Sequence, residues 1–248
     1  MAPDPPASSV EGMNSNAFEN DMDRTAVITG ASAGLGKALA ERLAADGWNL
    51  VLTARGASRL AEAAERLGAA YLAGDVADAA HRERLVDLTE GRIDLLVNNA
   101  STLGQTPLPE LRQADLTRWP GLFEVNTIAP IALAQLALPS LRKRRGAIVN
   151  ITSDAASGPY ATWGPYGATK AALDQLSNVL AAEEPDVAVW AVDPGEMHTR
   201  MLADAIGETD AWQASPPGKA AEAIARIVAA RPDSGRIEAQ GFQAVEAR

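Results

Sequence analysis

The stretch Thr29-Gly-Ala-Ser-Ala-Gly-Leu-Gly36 decides the fold. Before it stands a short apolar run, Thr25-Ala-Val-Ile-Thr29, which reads as a buried strand. After it, Leu35, Leu39 and Leu43 recur at helical spacing through Ala45. A glycine-rich turn between strand and helix lets an anionic ligand approach the backbone. The helix N-terminus then offers free N–H groups and a partial positive charge. The spacing is G-x-x-x-G-x-G rather than the G-x-G-x-x-G of the usual dinucleotide fingerprint. Alone, the turn implies a phosphate-binding βα unit, or merely a tight turn that packs a helix on a sheet.

Working outward, the same alternation repeats. Short apolar runs at Leu50–Leu52, Ala70–Ala73, Ile93–Val97, Ala147–Ile151 and Val187–Val192 read as strands, with Arg236–Ala239 a possible last one. Between them, Ser58–Leu67, Asp78–Thr89, a long region ending at Leu141, Tyr166–Ala182 and Lys219–Ala229 read as helices. Strands alternating with helices of this length predict βαβ units and an α/β, Rossmann-like, doubly wound parallel sheet in three layers. Ligands of such a sheet bind at the C-terminal ends of its strands.

Composition excludes several classes of function. At 248 residues, 47% hydrophobic and 22% charged, the chain can bury one large core. The formal charge of −10 argues against nucleic acid or an anionic membrane as partner. Half of that charge comes from Asp4, Glu11, Glu19, Asp21 and Asp23, in a segment without Lys or Arg. Residues 1–23 therefore read as a disordered leader, with Met22 a candidate start, and 24–248 as one domain. There is no cysteine, so thiolate chemistry and disulfides are excluded. His81 and His198 are too far apart in sequence to suggest a metal site, and none is expected. No run approaches the roughly 20 apolar residues of a membrane helix, and no secretory signal is visible. A cytoplasmic protein is the expectation. The basic run Arg142-Lys-Arg-Arg145 reads as a solvated helix end that meets the dipole.

Chemistry concentrates near the predicted strand ends. Tyr166 and Lys170 stand at i and i+4 of a helix, on one face. A free tyrosine has a pKa of about 10, and a nearby cation lowers it. Such a pair can give a proton to a carbonyl or take one from an alcohol. Ser153 lies just beyond the strand Ala147–Ile151, and Asn98-Asn99-Ala100 just beyond Ile93–Val97. Asp75-Val76, Asn126 within Phe123-Glu-Val-Asn126, and Pro194-Gly-Glu-Met-His-Thr199 complete the set.

In this order these motifs resemble the short-chain dehydrogenase/reductase family, single-domain type, over essentially everything from Arg24 onward. One departure is Ser101, where the family usually has glycine. The resemblance implies Tyr166 as general acid/base, with Lys170 lowering its pKa and holding the nicotinamide ribose. It implies that Ser153 polarises the substrate carbonyl and that Asn126 holds a relay water. Gly30, Ser32, Gly34, Leu35 and Gly36 would surround the pyrophosphate, and Asp75 and Val76 would meet the adenine. Asn98 and Ala100 would line the adenosine side, with Pro194, Gly195 and Thr199 at the nicotinamide. Asn126 could instead bond backbone and kink its helix, and Thr199 could be only a helix cap.

The second strand bears on the cofactor. An NAD enzyme places Asp or Glu at its end to bind the ribose 2′-OH. Here Ala54 stands there, followed by Arg55 and, a turn later, Arg59. This favours NADP(H), the guanidinium meeting a 2′-phosphate. The expected activity is NADP(H)-dependent hydride transfer between nicotinamide and a small carbonyl or secondary alcohol. A non-catalytic redox sensor of the same fold is the alternative. Tyr160, Trp163, Met197, Met201 and Trp212 flank the site and suit a flat or apolar substrate. The helices Thr127–Leu138 and Ala171–Ala182 are apolar around much of their circumference, which implies a homodimer or homotetramer.

Overall fold

The computed structural model describes residues 24–243, and the acidic leader 1–23 lies outside the described residues. Seven parallel strands form one sheet in the order β3-β2-β1-β4-β5-β6-β7. They are β1 (Thr25–Thr29), β2 (Asn49–Ala54), β3 (Ala70–Ala73), β4 (Leu95–Asn98), β5 (Ala147–Ile151), β6 (Ala188–Asp193) and β7 (Gly235–Glu238). The order reverses between β1 and β4, and that crevice is where a doubly wound sheet binds its ligand.

Two apolar layers follow from the two-residue period of a strand. In β1, Ala26 and Ile28 face one layer, and Val27 faces the other. The first layer receives Leu35, Leu39 and Leu43 of α1 (Gly34–Ala45), Leu60 of α2 (Ala57–Leu67) and Ile224 and Ile227 of α9 (Pro217–Ala230). The second receives Leu85 of α3 (Ala79–Asp87) and Leu133, Ala137 and Leu141 of α5 (Ala129–Arg144). Leu39, like its neighbours, is fully buried, so truncation to alanine there costs about 2–5 kcal/mol.

Three regions differ from the sequence expectation. β4 starts at Leu95, not Ile93, because the Ile93 N–H is taken by the Ser140 hydroxyl (2.7 Å). The long helical region is broken into α4 (Trp119–Phe123), a wide π turn (Glu124–Ile128) and α5. The aperiodic stretch after Thr199 folds into α7 (Arg200–Ile206) and α8 (Glu208–Ala211). The helical run Leu116–Arg144 is, by length and composition, long and apolar enough to span a membrane, contrary to the sequence reading. Half of its most apolar 18-residue window is buried within the protein, where the leucines of α5 fill the second layer. The basic run does end α5, and its Arg142 and Arg144 are also paired. Arg144 meets Asp94 at 2.7 Å, and Arg142 meets Glu184.

His81 of α3 supports the turn after β3. Thr53 Oγ1 donates to the Leu72 carbonyl, so it accepts from His81 Nε2 at 2.8 Å. His81 Nδ1 is then an unprotonated, buried atom without a partner. It lies beside Gly74, where an added Cβ would come within 2.2 Å of it. Burial lowers the His81 pKa from 6.5, with Arg84 adding to the effect. Folding therefore favours the neutral ring. Stability is unaffected above the ordinary histidine pKa and is lost as pH falls from there through the folded-state value. We expect the thermal midpoint to fall between pH 7 and 5 more steeply in the wild type than in His81→Gln. Equal slopes would remove His81 from the account.

Candidate active site

A cleft of about 460 Å³ opens over the C-terminal strand ends. Its floor is the junction of two loops. Thr29 Oγ1 accepts from the N–H of Asn99 (3.0 Å) and of Ala100 (2.9 Å). The Asn99 amide donates to the Thr29 carbonyl (2.8 Å). The glycine turn after β1 and the Asn-Asn-Ala turn after β4 are thus tied together by Thr29 and Asn99. Gly30 has φ +69°, and a Cβ there would meet the Asn99 amide at 2.7 Å.

Gly30, Ser32, Gly34 and Leu35 line one wall of the cleft. Gly36 does not line it. A Cβ at Gly36 would strike the Gly30 carbonyl at 2.5 Å, so this glycine packs α1 onto the turn. The first turn of α1 has no side-chain cap, which leaves its N–H groups directed at the cleft. Arg55 and Arg59 stand at the end of that wall, with Asp75, Val76 and Ala100 opposite. Asn98, expected beside the adenosine, is not there. It is buried in the sheet and donates to Asn150 Oδ1 (2.8 Å) and the Pro130 carbonyl (3.2 Å). Strand alternation turns its side chain away from the cleft, and its neighbour Asn99 occupies the wall instead.

The other end holds Ser153, Tyr166 and Lys170, with Pro194, Gly195 and Thr199 beside them. Tyr166 and Lys170 project from α6 (Gly164–Glu183), which Pro165 starts at its second position. Lys170 is buried, donates to the Ile151 carbonyl (2.8 Å), and lies 5.5 Å from the Tyr166 ring centre. Burial pushes its pKa down to about 8, and Asp174 opposes this. Burial likewise raises the Tyr166 pKa well above its usual value, with Asp193 and Asp154 adding and a Ser101 hydrogen bond opposing. The lowering by Lys170 that the resemblance implies is not among these influences. The ammonium is held by the Ile151 carbonyl, and desolvation is the largest influence on the phenol.

Ser153 Oγ accepts from the Ala155 N–H (3.1 Å) and donates to Asp154 (2.9 Å). Its hydroxyl proton can turn from Asp154 toward a carbonyl in the cleft. Asn126 sits in the π turn and does not line the cleft. Its Oδ1 accepts from Thr102 N and Ser101 Oγ, and its Nδ2 donates to the Thr102 carbonyl and Thr169 Oγ1. Both polar atoms of the side chain are thus bonded to the loop after β4 and to α6, as the backbone-bonding alternative expects. Thr199 caps α7 through Leu202 N (3.3 Å) and also lines the cleft, which joins its two readings.

Tyr160, Trp163, Met197 and Met201 line the substrate end as expected. Trp212 does not; it stacks edge-on against His198, 4.5 Å away, and is 72% exposed. Leu103 and Ile206 were missed, because neither falls in a recognisable motif. Ser101 was read only as a departure from glycine, yet its hydroxyl links Asn126 to Tyr166.

A short chain dehydrogenase family model matches residues 24–209. The chain is 36% identical over 188 residues to serine 3-dehydrogenase of Rhizobium radiobacter, covering 73% of this chain and 74% of that one. It is 35% identical over 192 residues to the (S)-acetoin-forming diacetyl reductase of Staphylococcus epidermidis, covering 73% and 74%. Its fold is similar to that of an alcohol dehydrogenase from the archaeon Thermococcus sibiricus, solved with 5-hydroxy-NADP. There the TM-score is 0.79 at 28% identity, over 91% of this chain and 98% of that one. This chain belongs to the short-chain dehydrogenase/reductase family, whose members are oxidoreductases acting with a nucleotide cofactor on small molecules.

Proposed function

We propose that the protein is an NADP(H)-dependent carbonyl reductase or alcohol dehydrogenase with Tyr166 as its general acid/base. One observation carries this. A single cleft runs from an uncapped helix N-terminus and two arginines to a buried Tyr–Lys pair with Ser153 beside it. The donor set fits the cofactor. The α1 N–H groups and the Gly30–Leu35 turn would take the pyrophosphate. Arg55 and Arg59 would take a 2′-phosphate, Asp75 and Val76 the adenine, and Lys170 the nicotinamide ribose. When bound, NADPH supplies the hydride.

The chain's own residues supply the rest. Ser153 donates to the carbonyl oxygen and orients it. Tyr166, kept neutral by burial, passes its proton to that oxygen as negative charge develops there. Asn126 acts at a distance, by fixing Ser101, Thr102 and Thr169. Tyr160, Trp163 and Met201 give the substrate an apolar, partly aromatic wall. The names of the two curated relatives favour small hydroxy- or oxo-compounds as the first candidates. The test is a screen of aldehydes, ketones and diketones, followed through NADPH absorbance. Binding of NADPH without turnover of any carbonyl would favour the redox-sensor alternative instead.

We also propose that the enzyme is a homo-oligomer. Ile128 and Leu136 on the α5 side and Leu176 and Val179 on α6 are 38–49% exposed, on the helices that read as apolar all round. Covering them with a second copy removes that surface from water. Light scattering at micromolar concentration is expected to give a multiple of 25.9 kDa. A clean monomer would end this proposal.

A further inference from the structure

We infer that Arg236 is a positioning residue for proton transfer: from β7 it holds the Asp193 carboxylate and the main chain at Ser153, and so shields Tyr166 from the Asp193 charge. The inference rests on the role proposed for Tyr166. Arg236 lies beyond the residues matched by the family model, and no motif pointed to it.

Its guanidinium joins three strand ends and a helix. One Nη2 donates to Asp193 Oδ2 (2.9 Å) at the end of β6 and to the Ser153 carbonyl (3.3 Å) beyond β5. Nε donates to Asp174 Oδ2 (3.2 Å), one turn after Lys170 on α6. Nη1 reaches Glu238 on its own strand at 3.5 Å. Asp193 is buried, lines the cleft, and shapes the Pro194-Gly195 turn by accepting from the Gly195 N–H (3.0 Å). Arg236 is therefore placed to bring a countercharge to a buried acid at the reacting end of the cleft without entering the cleft itself.

The charged and hydrogen-bonding groups that bear on Tyr166 come from four elements. Lys170 is on its own helix, Asp154 follows β5, Asp193 ends β6, and the Ser101 hydroxyl follows β4. Both carboxylates disfavour the phenolate. Of these two, Asp193 is the one that Arg236 neutralises. Removing Arg236 leaves the Asp193 charge unopposed and raises the pH at which Tyr166 ionises. Removing the Asp193 charge lowers it. The two substitutions thus act in opposite directions, which a merely structural role for Arg236 does not produce.

The experiment measures the pH dependence of kcat/KM for oxidation of 1-phenylethanol with NADP+, where Tyr166 must accept the proton. We expect Arg236→Met to move the acidic limb up by about half a pH unit or more, and Asp193→Asn to move it down. Arg236→Lys keeps the charge and restores the limb. The double variant, which loses both opposite charges, falls between the two single variants and near the wild type. NADP+ affinity, read by fluorescence titration, stays within about threefold in Arg236→Met, because Arg236 does not line the cleft. A cofactor-free sample labelled with 13Cζ-tyrosine gives a second reading. There the onset of Tyr166 ionisation shifts down in Asp193→Asn and up in Arg236→Met. Shifts of the same sign, or none in either measurement, overturn the inference. If Tyr166→Phe keeps its turnover, the functional proposal fails instead, and the cofactor-free titration still judges Arg236.

Discussion

Tyr166→Phe is expected to lower carbonyl reduction by roughly two to four orders of magnitude, the loss typical for a missing general acid–base group. The substitution removes only the hydroxyl. The ring still packs edge-on against Trp163, 5.6 Å away, and against Leu103 and Ala155, so folding should persist. NADPH affinity should change little, because Lys170, Arg55 and the α1 N-terminus are untouched. The sign of the pH dependence follows from burial. With its pKa raised, Tyr166 is a neutral donor across the physiological range. Reduction should therefore hold steady through neutral pH and fall only under alkaline conditions, while alcohol oxidation should rise with pH. Stopped-flow single turnover with NADPH separates the chemical step from release. Near-normal turnover in Tyr166→Phe on a confirmed substrate would remove the proton-donor assignment.

The second large effect concerns the cofactor. Ala54→Asp combined with Arg55→Ala should reverse a preference for NADPH into one for NADH. Ala54 is nearly buried at the C-terminal end of β2, at the adenosine end of the cleft. No carboxylate stands there to bond a 2′-hydroxyl or to repel a 2′-phosphate. Arg55 and Arg59 both line this end, and Arg59 folds back over Gly56. A charge-assisted contact contributes about 1.5–3 kcal/mol, which is a preference of about ten- to a hundredfold. The single variant Arg55→Ala should retain part of the preference through Arg59. The measurement is the ratio of kcat/KM for NADPH and NADH. A wild-type ratio near one, or one favouring NADH, would show that these arginines face only solvent.

Much of this was legible in the chain itself. The strand–glycine turn–helix unit at 25–45, the two-residue and helical periods, and the order of the motifs specify the parallel sheet and its family. They do so because backbone pairing and helix burial depend on local pattern, and β1 and β3 fall where the apolar runs put them. The pairing of Tyr166 with Lys170 was legible for the same reason, since four residues in a helix is a fixed geometry. What the sequence could not decide was direction and environment. Asn98 and Asn99 are adjacent and identical, yet strand alternation buries one in the sheet and gives the other to the cleft wall. Gly36 belongs to the phosphate motif by spacing, but its role is close packing against the Gly30 carbonyl. Asn126 has its hydrogen bonds taken by a loop and a helix that only the π turn brings beside it. The ionisation of Tyr166 turns on desolvation and on Asp193 and Asp154, and Asp193 is neutralised by an arginine 43 positions further along the chain. Spacing along a chain sets which groups can share an element; only the packed structure sets which of them lose water and which charges face them.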